Sequence, residues 1–207
     1  IDFKDKTVLV TGGTRGIGEA IVKQFRKNNA NVIATGTKID NLKIDNEIKY
    51  KTLDFASEES IDTFIKFLEN IPAIDVLINN AGINRVDKIS EINKDDWDLV
   101  NKINLRGPFL LTKAVSKIMK KNRSGHIINI SSIFGVISKS GRTTYSSTKS
   151  GLIGLTKAVA LDLAPFNIIV NSISPGFVDT DLTRQILNEL EIEEIEKIIP
   201  QKRLANP

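Results

Sequence analysis

Short β-branched runs alternate along this chain with longer stretches whose apolar residues recur at helical spacing. Thr7–Val10 (TVLV) follows charged residues and reads as a buried strand. Residues 31–35 (NVIAT), 48–55 (IKYKTLDF), 75–78 (DVLI), 125–130 (GHIINI) and 167–174 (NIIVNSIS) read as five more. Between them, helical spacing predicts a helix over residues 18–29 through Ile17, Ile21, Val22 and Phe25. A second helix runs through Ile61, Phe64, Ile65 and Leu68, with Ser57 as its N-cap. A long third helix covers residues 95–121, with a kink expected at Gly107-Pro108. A fourth spans 145–163, and an increasingly acidic amphipathic segment, residues 180–199, reads as a mobile surface helix or lid. Strands alternating with helices predict an α/β fold, a doubly wound parallel sheet. No repeat or linker divides the 207 residues, so residues 1–207 read as one domain.

Composition narrows the chemistry. A hydrophobic content of 41% and a charged content of 26% suit a globular domain. With no cysteine, disulfides and thiolate metal sites are excluded, and with one histidine, His126, a histidine triad or metal cluster is not expected. The start has none of the layout of a signal peptide, no apolar run is long enough to span a bilayer, and a cytoplasmic protein is expected. The net charge of +4 is spread, and the few aromatics are not interleaved with it, so neither nucleic acid nor membrane is an expected partner.

Candidate chemistry gathers after the strands. Thr11-Gly12-Gly13-Thr14-Arg15-Gly16-Ile17-Gly18 joins the first strand to the first helix, the context in which a glycine turn holds a pyrophosphate on a helix N-terminus. Asn79-Asn80-Ala81-Gly82 follows the fourth strand, either as a plain turn or as a place where backbone approaches a planar ligand. Asn104 precedes the expected kink, where a freed carbonyl or an ordered water needs a partner. Ser132 ends the fifth strand, and Tyr145 and Lys149 lie one helical turn apart on a shared face. An ammonium there would lower the phenol pKa and make Tyr145 usable as a proton donor or acceptor. The position after the second strand where a carboxylate would bind a ribose 2′-hydroxyl is Gly36. Thr37, Lys38 and Arg15 around it can instead hold a 2′-phosphate, unless the two cations are merely solvated.

In combination, these motifs resemble the short-chain dehydrogenase/reductases and, among them, the β-ketoacyl-acyl-carrier-protein reductase-like branch. The residues that carry the resemblance are T-G-x-x-x-G-x-G at Thr11–Gly18, N-N-A-G at Asn79–Gly82, Ser132, Y-x-x-x-K at Tyr145–Lys149 and P-G-x-x-x-T at Pro175–Thr180. It implies a Rossmann fold and a catalytic set of Asn104, Ser132, Tyr145 and Lys149, with Ser132 and Tyr145 on the substrate carbonyl. It implies NADPH held by Gly12, Thr14, Arg15, Gly16, Ile17, Gly18, Thr37 and Lys38. Further along, the same cofactor would meet Asp54 and Phe55 at the adenine, Asn80, Ala81 and Gly82 at the ribose, and Pro175, Gly176, Val178 and Thr180 at the carboxamide. Tyr145 and Lys149 complete the cofactor set, and no metal is implied. The expected activity is reduction of a ketone by hydride transfer, on a small carbonyl substrate carried by an acyl carrier protein, in fatty acid biosynthesis. A sugar or polyol dehydrogenase of the same family is the first alternative, and a non-catalytic dinucleotide-binding protein on the same fold is the second. A homodimer or homotetramer built on the helices beginning near Asp95 and Tyr145 is expected. Two departures stand out. Relatives of that branch continue through one more helix and a last strand, so the chain reads as C-terminally incomplete. Of the basic residues beside the site mouth, Arg123 is present, but Phe166 occupies the place of a second arginine.

Overall fold

The computed structural model describes residues 2–39 and 47–207. Six parallel strands form one sheet in the order β3-β2-β1-β4-β5-β6: β1 (Thr7–Val10), β2 (Asn31–Gly36), β3 (Ile48–Thr52), β4 (Val76–Asn79), β5 (Gly125–Ile130) and β6 (Ile168–Ile173). The order reverses between β1 and β4, so the crevice of this Rossmann-type sheet opens there, beyond the strand C-termini. Period-two alternation sends neighbouring residues of each strand to opposite faces. Leu9, Ile33, Leu77 and Ile127 pack on one face with Phe64, Leu68, Leu111, Val115 and Met119. Val8, Val10, Val32, Ala34 and Ile78 pack on the other with Val22. Those partners come from helices α1 (Gly16–Lys27), α2 (Glu58–Glu69) and, after a short α3 (Lys94–Asn101), α4 (Gly107–Asn122). The backbone joining α1 to its strand is close enough that a methyl group on Gly18 would lie 2.0 Å from Gly12 O. Helix α5 (Thr143–Leu163) crosses from β5 to β6. On β6, Ile169 and Ile173 are half exposed.

The long third helix is broken, and one residue explains the place. Between α3 and α4, Lys102–Arg106 forms a π-helical turn, closed by Gly107 N–H donating to Lys102 O. Pro108, in the first turn of α4, has no N–H to give the carbonyl of Asn104, its partner in an unbroken helix. Sequence reading placed the kink at Gly107-Pro108, and the structure widens the turn just before it, at Asn104 itself. Gly107 is required there because a methyl at that position would come within 2.6 Å of the Phe55 ring.

Strand and helix ends shift by one to three residues from expectation, and three differences bear on the site. Strand β3 ends at Thr52, so Asp54 and Phe55 lie in the turn beyond it, where Asp54 N–H donates to Ser60 Oγ (2.9 Å). Helix α5 begins at Thr143, two residues before Tyr145. The acidic lid is two helices, α6 (Asp181–Ile186) and α7 (Glu189–Ile198). Asn188 separates them by capping α7, its side chain accepting from Glu191 N while Asn188 N donates to the Glu191 carboxylate. The expected Ser57 cap of α2 is present and accepts from Ser60 N.

Gly18→Ala should therefore destabilise the fold by roughly 2 kcal/mol or more, because the clash is with backbone and cannot be relieved by a rotamer change. Urea unfolding of the variant measures it, and a midpoint equal to the parent's would mean that α1 and the turn are not in this contact.

Candidate active site

The glycine turn is braced from β4. Thr11 Oγ1 accepts hydrogen bonds from Asn80 N (2.9 Å) and Ala81 N (3.0 Å), and Asn80 Nδ2 donates to Thr11 O (2.9 Å) and Gly12 O (3.1 Å). Gly12 and Gly16 have positive φ, 61° and 53°, which an L side chain would resist. A methyl on Gly12 would stand 3.0 Å from Ala81 Cα, and one on Gly16 would stand 3.2 Å from Thr180 Cγ2. Backbone is thus exposed where a Cβ would close the crevice, which fits a bound pyrophosphate. Behind the turn, Asn79 Nδ2 donates to Asn129 Oδ1 (2.8 Å) and Thr112 Oγ1 (3.1 Å), and Asn129 Nδ2 donates to Thr156 Oγ1 (2.9 Å). This buried polar layer, which sequence reading missed, ties β4 and β5 to α4 and α5 under the site.

A cavity of about 280 Å³ runs over the strand ends. Its wall includes Gly12, Thr14, Arg15, Gly16, Ile17 and Gly18 from the turn, Thr37 after β2, and Asp54 and Phe55 after β3. Asn80, Ala81 and Gly82 follow from β4, then Ser132, Tyr145 and Lys149, and finally Pro175, Gly176, Val178 and Thr180. Two expected residues are not in that wall. Lys38 is exposed, beyond the end of β2. Asn104 is buried behind it, its Oδ1 accepting from Ile83 N (2.9 Å) and its Nδ2 donating to Ile83 O (2.8 Å). Its side chain thus holds the backbone that leaves the Asn80–Gly82 loop. Ile83, Ser131, Asp181 and Leu182 also line the cavity; no motif marks them.

Gly36 is dictated by packing as well as by chemistry. A methyl there would lie 2.7 Å from Thr14 Cγ2, so a larger residue has to displace the Thr14 side chain. The far wall is held by the chain's last residues, another feature with no sequence signal. Ala205 N donates to Phe177 O (2.9 Å), Asp179 N donates to Ala205 O (2.8 Å), and Leu204 is buried. Thr180 accepts from Thr183 N and caps α6. Arg123 precedes β5, which puts it at the amino-terminal end of the sheet, away from the cavity, with its guanidinium donating to Pro165 O (3.1 Å). It does not stand at the site mouth as expected.

Electrostatics correct one expectation. Lys149 is fully buried, its Nζ donates to Ile130 O (2.8 Å), and burial lowers its pKa to about 8. Nζ lies 5.6 Å from the centroid of the Tyr145 ring. The Tyr145 phenol was expected below its ordinary value but stands above it. Burial is the largest cause, opposed by a hydrogen bond with Ser132 and by the charge of Arg142.

The family model for short chain dehydrogenase matches residues 6–191. The chain belongs to the short-chain dehydrogenase/reductase family. Its members are NAD(P)-dependent oxidoreductases acting on CH–OH groups, and this chain is one. It is 40% identical over 217 aligned positions to the 3-oxoacyl-[acyl-carrier-protein] reductase FabG of Aquifex aeolicus, covering 100% of this chain and 87% of that protein. The FabG of Vibrio cholerae is 34% identical, with the same coverage. Among solved structures, ElxO with NADP bound superposes with a TM-score of 0.87 at 31% identity, covering 97% of this chain and 86% of ElxO. A gluconate 5-dehydrogenase homologue from Beutenbergia cavernae with bound NADP gives a TM-score of 0.94 at 28% identity, covering 100% and 86%. The sequence resemblance to the FabG-like branch is thereby supported, while structural likeness extends to a protein described by another substrate.

The buried ammonium has a stability signature. Its folded pKa, about 8, lies below its ordinary value of 10.5, so between these the unfolded chain binds more protons and stability rises with pH. Below pH 8 the full penalty, roughly 3 kcal/mol, is present. Lys149→Met should therefore be more stable than the parent at pH 7, relative to its value at pH 10, by a margin that shrinks between pH 8 and 10.5. Urea unfolding of both proteins across this range reads the margin, and a difference independent of pH would show that Lys149 titrates normally.

Proposed function

We propose that the protein is an NADPH-dependent carbonyl reductase of the 3-oxoacyl thioester type. What chiefly supports this is the position of Ser132, Tyr145 and Lys149 on the wall of the same cavity as the glycine turn. The similarity to FabG proteins favours a 3-oxoacyl substrate, and an acyl carrier protein as its carrier. Bound over the turn, the nicotinamide cofactor supplies the hydride. Tyr145 donates the proton to the carbonyl oxygen, and Ser132 orients that oxygen by a hydrogen bond. Lys149 holds the cofactor's ribose and favours the phenolate left after proton transfer. Asn104 keeps Ile83 and the Asn80–Gly82 loop in register beside them. Asp54 receives the adenine, and Val178 and Thr180 hold the carboxamide, as the family resemblance implies.

The choice of NADPH rests on Arg15 and Thr37 at the cavity wall and on a glycine at the carboxylate position. Cofactors named with ElxO and the Beutenbergia cavernae protein agree with it. A second reading, a sugar-acid dehydrogenase, draws on the gluconate 5-dehydrogenase likeness. We also infer a homodimer or homotetramer across α4 and α5, where Phe109 and Leu161 are exposed and a groove of about 610 Å³ opens between Leu105 and Leu155. Sedimentation of the chain as a stable monomer would exclude that assembly.

Tyr145→Phe should lower turnover by about 10² or more while NADPH still binds, as loss of a general acid does. Steady-state reduction of a short 3-oxoacyl thioester, a β-ketoester mimic and 5-ketogluconate measures this and the substrate together. Turnover within a few-fold of the parent removes Tyr145 from the mechanism, and activity confined to the sugar acid selects the second reading. Arg15→Ala should raise the KM for NADPH about tenfold and leave that for NADH unchanged, the size of one charge-assisted hydrogen bond. Equal change for both cofactors would place Arg15 outside the phosphate site.

A further inference from the structure

Arg142 is a buried cation without a partner. The residue is 3% exposed, its Nε is buried with no acceptor, and among the described residues no carboxylate or carbonyl hydrogen-bonds or ion-pairs with its guanidinium. What it touches is aromatic: Cζ lies 5.3 Å from the centroid of the Phe134 ring, which itself meets Phe177 edge to face at 5.8 Å. The backbone fixes it in place. Arg142 N donates to Lys139 O (3.2 Å), its carbonyl accepts from Ser146 N (2.7 Å), and it bridges to Asp87 through backbone alone. Burying an unpaired charge is costly, and one ring face recovers only part of the loss. The position adds to the cost, since Arg142 precedes the first turn of α5, where the helix macrodipole disfavours a cation. Stability does not account for this arginine.

One turn further along α5 is Tyr145. Two polar neighbours act on its phenol, Ser132 from the turn after β5 by a hydrogen bond and Arg142 by its charge, while Lys149 of the same helix sets its Nζ 5.6 Å from the ring centroid. Among the described residues, the carboxylate that acts on Arg142 is that of Glu191 in α7, which is exposed and already accepts from Asn188 N (2.9 Å). Among the described residues neither cation is ion-paired with a buried acid, so Tyr145 lies between two buried cations, one helical turn to either side.

We propose that Arg142 is a positioning residue for Tyr145, a second buried cation that with Lys149 stabilises the phenolate and sets the pH at which the tyrosine exchanges its proton with substrate. Arg142 does not touch the substrate in this account, which rests on Tyr145 being the proton donor. Reciprocal electrostatics support it: the guanidinium lowers the phenol's pKa against the opposing effect of burial, and the phenolate raises the guanidinium's.

The chain has two tyrosines, Tyr50 and Tyr145, so Tyr50→Phe leaves one phenol whose ionisation can be followed by tyrosinate absorbance without turnover or cofactor. In that background, Arg142→Gln and Arg142→Met should raise the Tyr145 pKa by about one unit or more, and Arg142→Lys should restore most of the shift. The acid limb of kcat/KM for alcohol oxidation should move by the same amount in the same direction. Removing an unpaired buried charge should leave the thermal midpoint unchanged or higher. An unmoved titration in either neutral variant overturns the proposal, as does Arg142→Lys shifting as far as Arg142→Gln. Failure of both neutral variants to fold makes Arg142 structural and overturns it too. A KM rise confined to anionic substrates, with the titration unmoved, assigns the guanidinium to substrate instead. If the titration moves but Tyr145→Phe keeps its turnover, the coupling stands and the proton-donor reading fails, so the two are separable.

Discussion

The approach of Gly18 to Gly12, under the clamp of Asn80, is the constraint on which the rest of the site depends. Parallel strands β1 and β4 are neighbours whose connections leave in opposite directions, and that divergence alone makes a crevice. Its usable depth is set by atoms that are missing. No Cβ stands at Gly12, Gly16 or Gly18, so α1 can press against the turn and the Asn80 amide can reach both Thr11 O and Gly12 O. Thr11 returns the favour by accepting from the next two backbone N–H groups of the β4 loop. Four hydrogen bonds join the two loops, and Gly82 at the end of the second leaves open the space beside Asn104 Oδ1 and Lys149 Nζ.

Across this unit lies a site stabilised less than it is charged. Lys149 donates to the Ile130 carbonyl and Arg142 lies over the Phe134 ring, and among the described residues neither is ion-paired with a buried carboxylate. The cost is borne elsewhere, by the apolar faces of the sheet and the amide ladder through Asn79 and Asn129. Even that ladder leaves Asn79 Oδ1 without a partner. Buried positive charge beside Tyr145 favours a phenolate and a carbonyl oxygen gaining negative charge, which is where preorganised electrostatics act most strongly.

Much of this was legible because it is local. Strands announced themselves as β-branched runs, and α2 by Ser57 ahead of its apolar spacing. Pro108 told of a break, but not that the missing N–H would be felt as a π turn at Asn104. The Asn188-x-x-Glu191 signature of a second helix start was present, yet helical amphipathicity ran through it and hid the division of α6 from α7. What could not be read was tertiary. Thr14 against Gly36, Phe55 against Gly107 and the strap from Ala205 to Phe177 join residues with no sequence relation. The direction of the Tyr145 pKa failed for the same reason: spacing reveals the neighbouring charge, while burial, the larger cause, belongs to the folded state.

The central claim is that a dinucleotide lies over the glycine turn with its reactive carbon beside a carbonyl held at Tyr145. Transfer of isotope measures this directly. NADPH deuterated at the transferring position of nicotinamide C4, incubated with the protein and a 3-oxoacyl thioester mimic, should place deuterium on the new carbinol carbon, with none acquired from heavy water. Deuterium retained on the cofactor, with NADPH bound and every carbonyl offered left unreduced, would contradict the account.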